Sequence, residues 1–509
     1  MEESSRGYSV KDLETEFACS VISRNDTPYT SEWSQWDCDT WIRCLNVRRR
    51  FQEKDSGGDM SAAAGASLSV SRPFLLPQPA LDSAEQEAVY RVLESINSDV
   101  PWRTLFPDDF CISAPHGVVC DYFFDTTPSS AAVTPHITEL SFGYVSDYSP
   151  NPPCNSNSTL DPFLFSPLSH LRKLFFYKCF TQMEIPFPDF SPLSSQNSSV
   201  EELIFIENPA IYGSISGKLS SLRRFVLTGS NVSGEIPRGF SELMNLEQLS
   251  ISRNKFEGEI PTNFFHKVKK LKILDLSENG FRGNIPESIG NLTELLKIDM
   301  SFNGFSGEIP ENFKGLKGLE FLDLSYNHFG NFGVPLFLGE MKSLKEVYLS
   351  GNFLGGQIPE IWENLGGILG IGLSGTGLVG NIPASMGAYL RNVCYLGLDN
   401  NKLEGPVPNE FGTLEFVSEL NLENNKLGGR VPFSAGFVSK LGKKLKLKGN
   451  LDLCVDEGLM SSKVSGSLGQ LKLCSKPDIP KTDLFKVSSY HGLHVSYVLM
   501  LIGFLFFLS

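Results

Sequence analysis

Positive charge is what this chain is short of. Lys and Arg number 44 against 58 Asp and Glu, a formal net charge of −14 at pH 7. A nucleic-acid partner would want a basic face able to release counterions from phosphates, so that class is disfavoured. Charges of both signs together reach only 20% of the chain. No C-x-x-C occurs and the seven His show no ligand spacing, so no metal site and no cofactor are expected. The kinase signatures H-R-D and D-F-G are absent, as is the G-x-S-x-G elbow of hydrolases, and no enzyme is expected. The start, MEESSRGYSVKDLETEF, has no positively charged start followed by an apolar run, so it does not read as a secretion signal.

Turn-forming residues, by contrast, abound: 46 Gly and 30 Pro, with 41% hydrophobic residues. That is too much Gly and Pro for a helical bundle and too much apolar content for a disordered chain. The stretch GIGLSGTGLVG at 370–380 even holds two overlapping G-x-G-x-x-G patterns. A nucleotide loop needs such glycines between a strand end and a helix N-terminus. Here Gly370 and Gly372 fall inside an expected strand and no helical pattern follows, so they belong to something else. Their lack of side chains predicts a bare patch.

They belong to a repeat. LKILDLSENGFRGNIP begins at Leu271 and LLKIDMSFNGFSGEIP begins 24 residues later at Leu295. On the template L-x-x-L-x-L-x-x-N-x-L-x-G-x-I-P, units start at Leu222, Leu246, Leu271, Leu295, Leu319, Leu344, Ile368, Val393 and Val417, spaced 24 or 25 apart. Looser units start at Ile137, Leu171 and Val200, and a last partial strand covers 445–450. This period and pattern define a leucine-rich repeat. Apolar positions 1, 4 and 6 alternate as a strand with one buried face does. A unit that cannot close its own core stacks on the next. The expected fold is therefore an α/β solenoid with one concave parallel sheet of about 12–13 short strands and an irregular or 3-10 convex side. Asn254, Asn279, Asn303, Asn327, Asn352, Asn401 and Asn425, at position 9, should point inward and bond backbone groups of adjacent coils.

The ends of such a stack need covers. LDSAEQEAVYRVLESIN reads as a cap helix with Ser83 and Gln86 as a capping box. Ala88, Val89, Val92, Leu93 and Ile96 share one of its faces. Cys111 with Cys120, Cys154 with Cys179, and Cys454 with Cys474 are plausible disulfides, leaving Cys394 unpaired at position 2 on the concave face. With the sequons at Asn157, Asn197, Asn231 and Asn291, they place the chain in the secretory pathway, at the extracellular face of the cell membrane. The tail from Leu493 to Leu508 is apolar. Its sixteen residues span about 24 Å as a helix, against about 30 Å of bilayer core. It reads as a lipid-anchor signal or a short tail-anchor helix, giving attachment to a membrane either way. The expected organisation is an N-terminal extension (1–80), cap (81–136), repeats (137–441), second cap (442–476), spacer (477–492) and hydrophobic tail (493–509).

The L-x-L-S-x-N-x-L-x-G-x-I-P form resembles the plant-specific repeat of receptor kinases and receptor-like proteins over roughly residues 81–476. More narrowly, PWRTLFPDDFCISAPHGVVCDYF, the Cys154/Cys179 pair and GKKLKLKGNLDLC resemble the group containing receptor-like protein 29, Piriformospora indica-insensitive protein 2 and TOO MANY MOUTHS. The resemblance implies a membrane-attached ectodomain without a kinase, working beside receptor kinases in development or defence signalling. Its partners would be a receptor kinase ectodomain or a peptide ligand. The chain departs from the group at Pro115 and His116, where most relatives carry Trp. It also lacks, from Leu344 onward, the Arg-x-Arg by which many peptide receptors of the wider family hold a carboxylate. A secreted inhibitor of microbial polysaccharide-degrading enzymes, built on the same solenoid, is the alternative.

The candidate partner-binding residues lie on the concave face. Phe302 and Tyr326 share position 8 of adjacent units, with Phe321 and Tyr348 nearby and Asp299 and Asp323 bordering them. Exposed aromatics there are either anchors for a partner or a surface ladder covering itself. Asp275, Asp299 and Asp323 recur at position 5. Neighbouring strands about 4.8 Å apart would bring them within the separation used for acid–base work on sugars. The Asp-Leu-Ser context and an open surface favour a structural role. The basic run Lys440, Lys443, Lys444, Lys446 and Lys448 reads as a solvated cap face.

Overall fold

The structure, a computed structural model, describes residues 80–475 apart from 114, 116, 125–132, 144–150, 191–199, 216–220, 461–467 and 469. The sequon at Asn197, His116, Cys19, Cys38, Cys44 and the hydrophobic tail therefore lie outside the described residues. So do nearly all of the N-terminal extension and the spacer.

The described chain is a right-through stack of coils around one core. A 14-stranded sheet forms its concave wall in strict chain order. Each repeat strand pairs parallel with the next, as Ile273–Asp275 does with Lys297–Asp299, and Lys297–Asp299 with Phe321–Asp323. The exception is the first strand, Val118–Phe124, which pairs antiparallel with Val133–Phe142 as a cap hairpin. The opposite wall is made of short 3-10 turns such as Glu287–Asn291 and Glu311–Gly315. In the unit of Gly370 that slot holds a six-residue α-helix, Ala384–Tyr389, entered through Pro383, where no helix is expected from the pattern.

Two further parallel sheets were not foreseen. A 7-stranded and a 5-stranded sheet run along one flank, built from segments such as Gly280–Gly283 and Lys402–Gly405. In the unit beginning at Leu319 one extra residue precedes Val334-Pro335, and the flank sheet is interrupted there to isolated bridges at Gly330/Phe353 and Gln357/Val379.

Template positions 1, 4 and 6 pack the interior: Leu271, Leu274 and Leu276, like Leu295, Ile298 and Met300, are buried. Toward the N-terminal end the spine turns aromatic, with Phe142 against Phe176 at 5.1 Å and Phe176 against Phe205 at 4.9 Å. The Asn ladder satisfies the turns between coils. The Asn303 amide nitrogen donates to Leu276 O, Met300 O and Ser301 O, while its oxygen accepts from Phe281 N at 3.1 Å. Asn254, Asn279, Asn327, Asn352, Asn401 and Asn425 repeat the donor half of this pattern.

At the N-terminal end α1 (Ser83–Ile96) closes the stack with Val89, Val92 and Ile96 buried. Its cap is Asp82, not Ser83: the Asp82 carboxylate accepts from Ala84 N and Glu85 N. Gln86 reaches Asp108 O instead of folding back. An anionic acceptor one residue earlier outcompetes a hydroxyl for the free N–H groups. Disulfides join Cys111 to Cys120, Cys154 to Cys179 and Cys454 to Cys474. Cys394 departs from expectation twice: it is buried, and it is disulfide-bonded, with its partner outside the described residues.

Candidate functional site

The concave sheet sets side chains out in columns, because residues three, five and eight places into each unit repeat across neighbouring strands. One column runs Lys297, Phe321, Glu346, Gly370, Tyr395; the next runs Asp275, Asp299, Asp323, Tyr348, Gly372. The candidate residues thus sit on adjacent strands but as two aromatic pairs, not one cluster. Phe321 and Tyr348 form the central pair, ring centroids 5.9 Å apart.

The second pair, Phe302 and Tyr326, lies at the strand-to-turn corner. Both residues adopt left-handed backbone, φ 53°, a conformation that costs a bulky residue about 1–2 kcal/mol. Their N–H groups are held by the next coil, Phe302 by Ser325 O at 2.9 Å and Tyr326 by Ser350 O at 2.7 Å. The geometry stacks the two rings at 4.4 Å and 14°. Tyr326 in turn overlies Gly351, where an added Cβ would come within 2.7 Å of Cδ1. So the rings do form a ladder. Phe302 nevertheless keeps 42% of its surface exposed.

Tyr348 explains the glycines at 370 and 372. Its ring roofs both: a Cβ at Gly370 would approach its hydroxyl to 2.4 Å, and one at Gly372 its Cδ1 to 2.8 Å. The patch is therefore covered and buried rather than bare. The Tyr348 hydroxyl donates to Glu346 Oε2 at 2.9 Å. Burial, followed by the Glu346 charge, pushes the phenol well above its usual range.

The acidic column is tied down locally. Asp275 and Asp299 each accept from the N–H and hydroxyl of the Ser two residues on, with the hydroxyl at 2.7 Å in both. Asp323 does the same with Ser325. This is what the Asp-Leu-Ser pattern is for. Burial first, then Asp275 and Asp323, raises the Asp299 carboxyl to about 8; burial raises Asp323 to about 6. Lys297 stands beside them, its ammonium 4.9 Å over the Phe321 ring. Burial opposes its charge, but Asp275, Asp299, Asp323 and Glu346 outweigh it and its pKa is raised. The column can offer a cation-seeking, hydrogen-bonding floor.

Elsewhere, the carboxyl-terminal lysines are surface groups in local contacts: Lys446 pairs with Glu419 at 3.0 Å, and Lys440 donates to Glu415 O. Asn157, Asn231 and Asn291 are exposed. The pattern of spacing overlooked one assembly altogether, Glu85 with His136 and His170, which the fold brings together from far apart.

Known proteins resemble parts of this chain. A model of the family "Leucine rich repeat" matches residues 269–329, and a second, "Leucine Rich Repeat", matches 245–266 and 343–365. Receptor like protein 29 of Arabidopsis thaliana is 33% identical over 142 residues, 28% of this chain and 28% of that protein. Protein TOO MANY MOUTHS, from the same plant, is 34% identical over 138 residues, 27% of this chain and 25% of that one. The chain carries leucine-rich repeats and is similar, over these stretches, to plant receptor-like proteins. Its matched stretch spans about a quarter of the length of those curated relatives. Among solved structures, the Arabidopsis receptor kinase HAESA, in complex with the peptide hormone IDA and the co-receptor SERK1, shares 28% identity. That likeness covers 57% of this chain and 50% of HAESA, at a TM-score of 0.48. Among the described residues no helix is long and apolar enough to cross a membrane.

Proposed function

We propose that this protein is a non-catalytic, membrane-attached recognition module that binds an extracellular protein partner, a peptide or a receptor kinase ectodomain, along its concave sheet. The observation that carries it is the presence on adjacent strands of two aromatic pairs, Phe302/Tyr326 at the corner and Phe321/Tyr348 with Lys297 at the centre, among Asp299, Asp323 and Glu346. Binding energy concentrates in aromatic anchors within a polar rim. Strands locked into a sheet lose little ordering entropy on binding. With no signature of chemistry in the sequence, the protein would act by changing what a neighbouring receptor binds. The sequons at Asn157, Asn231 and Asn291 would carry glycans on exposed coil positions, and the apolar tail would hold the module at the membrane.

The test uses the two relatives of these rings in the same slot. Asn400 and Asn424 occupy position 8 with φ 56° and 53°, so Asn is tolerated by that backbone. The double variant Phe302→Asn/Tyr326→Asn should keep its melting temperature yet bind the captured partner about 2 kcal/mol more weakly. Partner capture would screen receptor ectodomains and peptides against the full chain. Undiminished binding by the double variant, or free secretion with inhibition of a pectin-degrading enzyme, would overturn the proposal.

A further inference from the structure

The N-terminal cap holds a cluster that the concave site does not use. Glu85 projects from the first turn of α1, His136 from the strand Val133–Phe142, and His170 from the turn before the strand Lys173–Tyr177. One donor atom from each lies within 4.8 Å of the others. The carboxylate is buried, 4% exposed, and held at both oxygens: Oε2 accepts from Ile137 N at 3.0 Å and Oε1 meets His136 Nδ1 at 2.6 Å. Thr134 Oγ1 sits 3.1 Å from the other His136 nitrogen. The two imidazoles stack at 3.9 Å and 25°, and Phe123 closes over both, at 5.6 Å and 4.4 Å.

Among the described residues no lysine or arginine pairs with Glu85, although the charges around it are matched: Asp121 with Arg172, and Glu139 with Lys173. A buried carboxylate facing two imidazoles is the donor set of a borderline divalent cation. A tetrahedral zinc with bonds of about 2.0–2.2 Å places its ligands about 3.3 Å apart. The Glu85–His136 contact must open slightly, and His170, on a half-exposed turn, must close from within 4.8 Å to that spacing.

We propose that Glu85, His136 and His170 form a zinc-type metal site that ties α1 to the strands Val133–Phe142 and Lys173–Tyr177, leaving a fourth position for water. For Nδ1 of His136 to face the cation, its ring proton sits on Nε2, where Thr134 Oγ1 can accept it. The site differs in place and chemistry from the concave surface, and its test does not depend on a partner.

The experiment is isothermal titration of the full chain, stripped with a chelator, with zinc chloride and separately with magnesium chloride. One saturable zinc equivalent is expected, absent for magnesium. Zinc should also raise the melting temperature. His170→Ala lies on a turn and should fold; it and Glu85→Gln should weaken zinc binding about tenfold or more. His266→Ala, an exposed histidine far along the solenoid, should bind zinc as the unaltered chain does. No saturable zinc binding, or binding equal in His170→Ala and the unaltered chain, would show the cluster to be packing alone.

Discussion

Asn303 shows how much one side chain settles in this molecule. It serves four backbone groups on two coils, and only an amide carries both the donors and the acceptor. Asn303→Leu would leave Phe281 N and Leu276 O buried without partners, at about 1–3 kcal/mol each. A lower unfolding midpoint is expected, while Glu311→Ala, on an exposed convex turn, should leave it unchanged; equal midpoints would mean the ladder is not what stabilises the turns. Gly372 is a residue-scale constraint of another kind. Gly372→Ala pushes a methyl into the Tyr348 ring and should cost about 1–3 kcal/mol. Because the clash is with one side chain, adding Tyr348→Ala should recover part of that loss in a double-mutant cycle. Strict additivity of the two would contradict the roofing.

Neighbouring strands couple the charges on the sheet, so the acidic column is a property of elements. The folded-state pKa of Asp299, about 8, lies above its unfolded value of about 3.9. The free energy of this group therefore favours folding fully below pH 4 and is lost as pH rises toward 8. Asp299→Asn keeps an acceptor for Ser301 and removes the charge. It should melt higher than the unaltered chain at pH 8 and lose that advantage at pH 4; an advantage independent of pH would refute the assignment. The C-terminal bridge acts on elements too. Cys454 lies on the strand Asp452–Val455, which pairs with Lys472–Leu473. Cys454→Ser/Cys474→Ser should expose those strands to hydrogen exchange, with a cost of about 2–5 kcal/mol if the bridge behaves as in small secreted domains.

At the scale of the whole molecule, each coil touches only its neighbours, so stability is close to a sum of local terms. Leu420→Ala, deep in the C-terminal half, should speed hydrogen exchange in adjacent strands and leave Val133–Phe142 protected; uniform loss of protection would mean the stack unfolds as one unit. The solenoid was legible because its period of 24 or 25 residues repeats one physical solution. Leu274, Ile298 and Leu322 had to be inside, and Asn279, Asn303 and Asn327 had to meet the backbone, whatever their neighbours did.

Other features depended on which coil lies beside which. Gly280–Gly283 pairs along the flank because the tight Gly bends stack in line, a relation across coils that no single unit contains. The Gly370/Gly372 surface is covered because Tyr348, one unit earlier, lays its ring along the sheet. Glu85, His136 and His170 carry no local spacing at all. The periodic pattern alone determined the strands, their buried faces and the inward Asn ladder, since burial of apolar positions in a 24-residue coil admits one register. Only the tertiary structure decided what meets on the surfaces between coils. Side-chain direction across a stack, and the closure of a helix over its end, are set by contacts between residues distant in the chain.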